Sequence, residues 1–67
     1  MPLWRRLSDE ARDVGLTPDT YRSAVARGQI PVRVAQFGAK GGRGEWHVHA
    51  GDARAYRAWL AAGGGTR

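Results

Sequence analysis

The sequence predicts a small α+β domain whose elements run helix, tight turn, helix, two-stranded hairpin, helix. Three observations predict it: two helical stripes broken only by Gly15-Leu16 and an N-cap, two period-two segments joined by a glycine-rich run, and a third amphipathic stretch that is rich in aromatics. The chain has 67 residues, which is one domain at most. A domain this short buries only about 60% of the surface that its unfolded chain exposes, so each large apolar side chain matters. The predicted core is Leu7, Ala11, Val14, Leu16, Tyr21, Val25, Ile30, Val34, Trp46, Val48, Tyr56, Trp59 and Leu60.

The first helix is expected over about residues 6–15. Leu7, Ala11 and Val14 share one face at i, i+4, i+7. Asp9 and Glu10 favour its N-terminal end through the helix dipole, and Gly15 stops it. Its start is open: Leu3 would extend the stripe back toward Pro2, and Ser8 would cap a shorter helix. The second helix, over about 18–28, has the strongest signals. Thr17 is a good N-cap, Pro18 suits the first helical position, and Gly28 and Pro31 end the element. Tyr21, Ala24 and Val25 form its inward stripe. The short break between these helices is that of a helix-turn-helix.

Two strands follow. Val32, Val34 and Gln36 alternate with Arg33, Ala35 and Phe37, and Trp46 and Val48 alternate with Glu45, His47 and His49. The connection from Gly38 to Gly44 is too long for a tight turn and carries Lys40 and Arg43 at a hairpin tip. A third helix is expected over about 51–62, with Asp52 near its start and Tyr56, Trp59 and Leu60 on one face. Residues 1–62 then form the domain and 63–67 a flexible tail.

Charge bounds the partners. Lys plus Arg total 11 against 6 acidic residues, a net charge of +5, with a pI near 11.1. Such a field favours polyanions, either nucleic acid or an anionic membrane surface. Ten of the 11 cations are arginine, whose planar fork suits phosphates and guanine edges; compositional bias is the competing explanation of that preference. There is no cysteine, hence no disulfide or thiolate metal site. Neither a signal peptide nor a membrane span is expected, and the expected location is the cytoplasm.

The order of elements carries a resemblance. Glu10-Ala11-Arg12-Asp13-Val14-Gly15-Leu16-Thr17 resembles the first helix and turn of the excisionase and MerR-like winged-helix family. The stretch from Pro18 to Pro31, with its Gly28-Gln29-Ile30-Pro31 exit, is similar to that family's recognition helix. Glu45-Trp46-His47-Val48 and the run from Asp52 to Leu60 look like the second wing strand and closing helix. The likeness spans nearly the whole chain. It departs at Glu10, where the family often has a small apolar residue, and at the long glycine-rich tip.

The resemblance implies a winged helix-turn-helix that binds double-stranded DNA, with helix 17–28 in the major groove and hairpin 38–44 as the wing. It implies an architectural factor that directs a recombinase toward excision, or a small transcription regulator of a phage or mobile element. A site-specific recombinase and further copies of the chain on adjacent DNA sites are the additional partners. The residue chemistry agrees. Arg22 projects between the small residues Ser23 and Ala26 and suits guanine O6 and N7. Thr17, Thr20 and the N-terminal backbone N–H groups suit phosphates, and Arg27 stands on the same outward face as Arg22. Arg33, Lys40 and Arg43 read as phosphate contacts on the hairpin, Arg43 being the best placed for a minor groove; a solvated loop is the alternative. Asp19 reads as a helix N-terminal charge, with acceptance from a cytosine amino group as the second reading. Arg5 and Arg6 read equally as a backbone-contacting arm or a solvated one, and Arg54 and Arg57 as decoration of the third helix.

Other chemistries find little support. His47 and His49 share a strand face, but no third ligand is positioned by sequence, so no metal is expected. The glycine-rich run lacks the order of a phosphate-binding loop. Ser8 and Ser23 have no triad partners, and no cofactor or catalysis is expected. Trp46 and Trp59 read as core rather than as base-stacking platforms, with Trp4 open. The second class of function is a protein-interaction module, in which the third helix and the tail dock a recombinase or another partner.

Overall fold

The computed structural model describes residues 3–38 and 44–64. Its elements are β1 (Trp4–Arg6), α1 (Leu7–Asp13), α2 (Pro18–Ala26), β2 (Val34–Phe37), β3 (Glu45–His49) and α3 (Ala50–Ala61). Among the described residues these make an α+β domain with three helices and one antiparallel sheet of order β1-β3-β2. No described helix is long and apolar enough to cross a membrane.

The helix ends follow local chemistry. After α1, Gly15 N–H donates to Arg12 O and Leu16 N–H to Ala11 O. After α2, Gly28 and Gln29 repeat the pattern onto Val25 O and Ala24 O. This paired closure needs a residue at positive φ, which Gly15 (78°) and Gly28 (79°) adopt without a Cβ penalty. The helices are therefore shorter than expected: the last turns predicted near residues 15 and 28 are these closures. Helix α1 also starts at Leu7, with no side-chain cap from Ser8. Helix α2 begins as expected, with Thr17 Oγ1 accepting from Thr20 N–H at 3.2 Å. His49, not a Ser or Asp, caps α3 by accepting from Asp52 N–H.

Strand β1 is the element that the sequence reading missed. Trp4 pairs with His49, Arg5 with Val48 and Arg6 with His47. Leu3, read there as extending the helical stripe, is 61% exposed. Strand β2 pairs Val34 with Val48 and Gln36 with Trp46, so Val48 and Trp46 face the helices as predicted. Across the sheet, Trp4, Phe37 and His47 form a ring cluster, with Phe37 stacked on His47 at 4.0 Å and Trp4 edge-on to Phe37 and to His49.

The buried core is Leu7, Ala11, Tyr21, Ala24, Ile30, Val32, Val48 and Ala53, with Val14, Leu16, Val25, Val34, Trp46 and Tyr56 packed against it. Trp59 is a correction: it is 52% exposed. Its ring stacks on Tyr56 at 5.8 Å instead, and Gly64 folds so closely over it that a Cβ there would collide. The inward position of α3 belongs to Ala53, a small residue that lets the helix approach the sheet. Leu60 is half-buried and stands outside the core cluster.

Two ion-pair groups tie the elements together. Glu10, fully buried, accepts on Oε1 from Arg5 of β1 at 2.6 Å and from Arg57 of α3; Arg5 also reaches Asp13 at 2.6 Å. The Asp13 hydrogen bond holds the Arg5 guanidinium above its ordinary range, and the Asp13 carboxyl is held low in return. Arg5 and Arg57, read from the sequence as surface cations, are thus structural. The second group pins α3 to the segment before β2: Arg33 donates its Nε to Asp52 Oδ2 at 2.7 Å, its Nη2 to Oδ1 at 3.0 Å and its backbone N–H to Oδ2 at 3.0 Å. These bonds hold the Asp52 carboxyl at about 2. A depressed carboxyl pKa stabilises the fold fully above the unfolded value near 4 and loses that contribution as pH falls toward 2. The Tm gap between the wild type and Asp52→Asn is therefore expected to be constant above pH 5 and to shrink by pH 2. A gap that stays constant to pH 2 would remove this role from Asp52.

Candidate nucleic-acid interface

The solvent face of α2 is built by what its other face must bury. Tyr21 and Ala24 point into the core, and at 100° per residue this turns Asp19, Arg22, Ser23, Ala26 and Arg27 outward. All five are exposed. Ser23 and Ala26 are short, so a partner surface can approach the backbone between the two arginines. Burial pushes the Tyr21 hydroxyl pKa up, so this anchor stays neutral. Thr17 and Thr20 are exposed at the helix start, and the Thr17 hydroxyl donates to the Thr20 hydroxyl at 2.8 Å.

Beside α2 runs a cleft of about 320 Å³, lined by Pro18, Asp19 and Arg22, by Gly44, Glu45 and Trp46, and by Arg6, Leu7 and Ser8 where β1 passes into α1. Gln36 borders it further along the hairpin. Arg22 leans across the cleft, its Cζ 5.8 Å from the centroid of the Trp46 ring. Its Nη2 stands 3.9 Å from Asp19 Oδ1, beyond hydrogen-bond reach, and Asp19 is 94% exposed. Glu45 lies 3.5 Å from Arg6 Nε, an exposed pair across β1 and β3.

The candidate residues fall into three groups. Thr17, Thr20, Arg22, Ser23, Ala26 and Arg27 lie together on α2 and its cap. Arg33 lies on the segment before β2, with its planar fork engaged by Asp52 and its Nη2 also 3.3 Å from His49 Nδ1. An incoming phosphate would have to compete with a bidentate carboxylate there. Lys40 and Arg43 lie outside the described residues. The histidines, weighed in the sequence as a metal pair, have separate tasks: His49 caps α3, and His47 lies against Phe37 with its Nδ1 2.9 Å from Glu45 O.

Trp46 and Gln36 are the residues that the sequence reading did not place at this surface. Trp46 was assigned to the core, and one side of it does pack there. The signal was in the strand pattern: Trp46 shares a face with Val48 but lies two residues nearer the hairpin tip, where a small core has run out. Comparison with protein-family models, with curated proteins and with solved structures finds no match for this chain. The functional reading therefore rests on the residues themselves.

Proposed function

We propose that the chain is a winged helix-turn-helix protein that binds specific double-stranded DNA, excisionase-like in its role, with α2 in the major groove and the hairpin tip as wing. The observation that carries the reading is the exposed face of α2. It presents Arg22 and Arg27 around the two short residues Ser23 and Ala26, with a hairpin rising beside it. A helix face with two arginines around short residues suits base edges flanked by phosphates, and Asp19 on the same face suits a cytosine amino group. The net charge of +5 adds a sequence-independent attraction to the polyanion. The Thr17 and Thr20 hydroxyls and the first N–H groups of α2 lie where a phosphate would meet the positive end of a helix. The proposal is one of binding without a chemical step, and the DNA would be bent or marked for a recombinase or a polymerase.

Amide shift mapping tests it. On titrating a 15N-labelled chain with duplex DNA, the largest changes are expected at residues 17–27 and 44–46. Changes confined to residues 52–60 would contradict the reading. A second reading, a docking module for a recombinase or another protein, has one observation in its favour: Trp59 is half-exposed beside a shallow apolar cleft shared with Pro31, Ala55 and Tyr56.

A further inference from the structure

We propose that Trp46 is a positioning residue that presents Arg22 to a guanine edge, so that this pair across the helix–hairpin cleft sets the base preference. The inference rests on the DNA-binding reading above and deepens it. Trp46 and Arg22 come from different elements, β3 and α2. The Arg22 guanidinium lies 5.8 Å from the Trp46 ring centroid, within the range of a cation–π contact. An exposed arginine samples many rotamers and loses that freedom on binding. A ring beneath the guanidinium removes part of that loss beforehand, which is how preorganisation raises selectivity.

The cleft also favours a base over a phosphate. Asp19 and Glu45 line it together with Arg6 and Arg22, and Glu45 lies 3.5 Å from Arg6 Nε, so the cleft carries no net positive charge to draw a phosphate. A guanine edge is neutral and offers O6 and N7 to one planar fork. Asp19 stands too far from Arg22, at 3.9 Å, to occupy that fork. Arg5 and Arg57 are locked on the buried Glu10 and Arg33 on Asp52, and Arg6 lies 3.5 Å from Glu45. Arg22 instead keeps its guanidinium N–H groups for a ligand while its position is set by the ring.

The test uses duplexes enriched from a random pool by the full chain, then copies in which each G·C pair is changed to A·T. The wild type is expected to lose about tenfold or more in affinity at one G·C position. Trp46→Leu is expected to cut that discrimination to under about threefold with an unchanged salt slope, because no phosphate contact is lost. Trp46→Phe, which keeps a ring, retains most of it. Arg22→Lys, which leaves the core untouched, keeps the salt slope and loses the discrimination, since a point charge has no fork. Discrimination that survives both Trp46→Leu and Arg22→Lys overturns the proposal while leaving DNA binding intact. A salt slope that falls by about one phosphate in Arg22→Ala overturns it also, by making Arg22 a phosphate contact. Failure of the wild type to bind any duplex overturns both readings together.

Discussion

Glu10→Ala is expected to cost the fold about 3 kcal/mol, the lower end of what breaking a buried ion pair costs. The lower end applies because Arg5 and Arg57 are 32% and 34% exposed and can reach water once released. A domain of this length has only about 3–10 kcal/mol of total stability, so the variant should be largely unfolded near its working temperature. The reason is topological. Glu10 is the point where β1, α1 and α3 meet, with Arg5 and Arg57 on the same oxygen. Without it, the edge strand and the closing helix each lose their charged tie to α1. Its second oxygen and the Tyr21 hydroxyl are buried without a hydrogen-bond partner among the described groups. Glu10→Gln keeps an oxygen for the two guanidinium N–H groups but loses the charge, and should recover only part of the loss. Urea unfolding followed by tryptophan fluorescence measures the loss; a change below about 1 kcal/mol would show that the network is dispensable.

Arg22→Ala is expected to weaken binding to a preferred duplex by about 1–3 kcal/mol, the value of one bidentate guanine contact. Stability should change by less than about 0.5 kcal/mol, because the side chain is 46% exposed and its ring contact is with the partly buried Trp46. Paired anisotropy titrations and melting curves separate the two effects. Equal affinity of wild type and variant on every enriched duplex would remove Arg22 from the interface.

Much of the fold was legible because it is local. Thr17-Pro18 and Gly28 bound α2, and Gly15 ends α1, through backbone preferences that act within a few residues. The alternation around Val34 and Val48 gave the hairpin and its inward face. What was hidden depends on contacts distant in sequence. Three residues of β1 are too few for a period to show, and their partner lies more than 40 positions away. Glu10 read as a first-turn acid favoured by the helix dipole, since nothing nearby in sequence announces that Arg57 will cover it. Trp59 looked like core because its spacing from Tyr56 is helical, but Ala53 takes the inward place and the indole stays outside. For the site, the α2 face followed from its helical wheel. The approach of Trp46 to Arg22 did not, because it needs the angle between helix and hairpin.

The central claim is that this chain grips double-stranded DNA through ordered charge contacts. Fluorescence anisotropy of a labelled duplex, titrated over a salt series, tests it most directly. Each neutralised phosphate contributes roughly −0.9 to the slope of log K against log salt. Binding is expected with a slope of about −3 or steeper, from three or more phosphate contacts by α2 and the hairpin. Absence of binding at the lowest salt, or an affinity that ignores salt, would contradict it and leave the half-exposed Trp59 surface as the better guide to what the chain does.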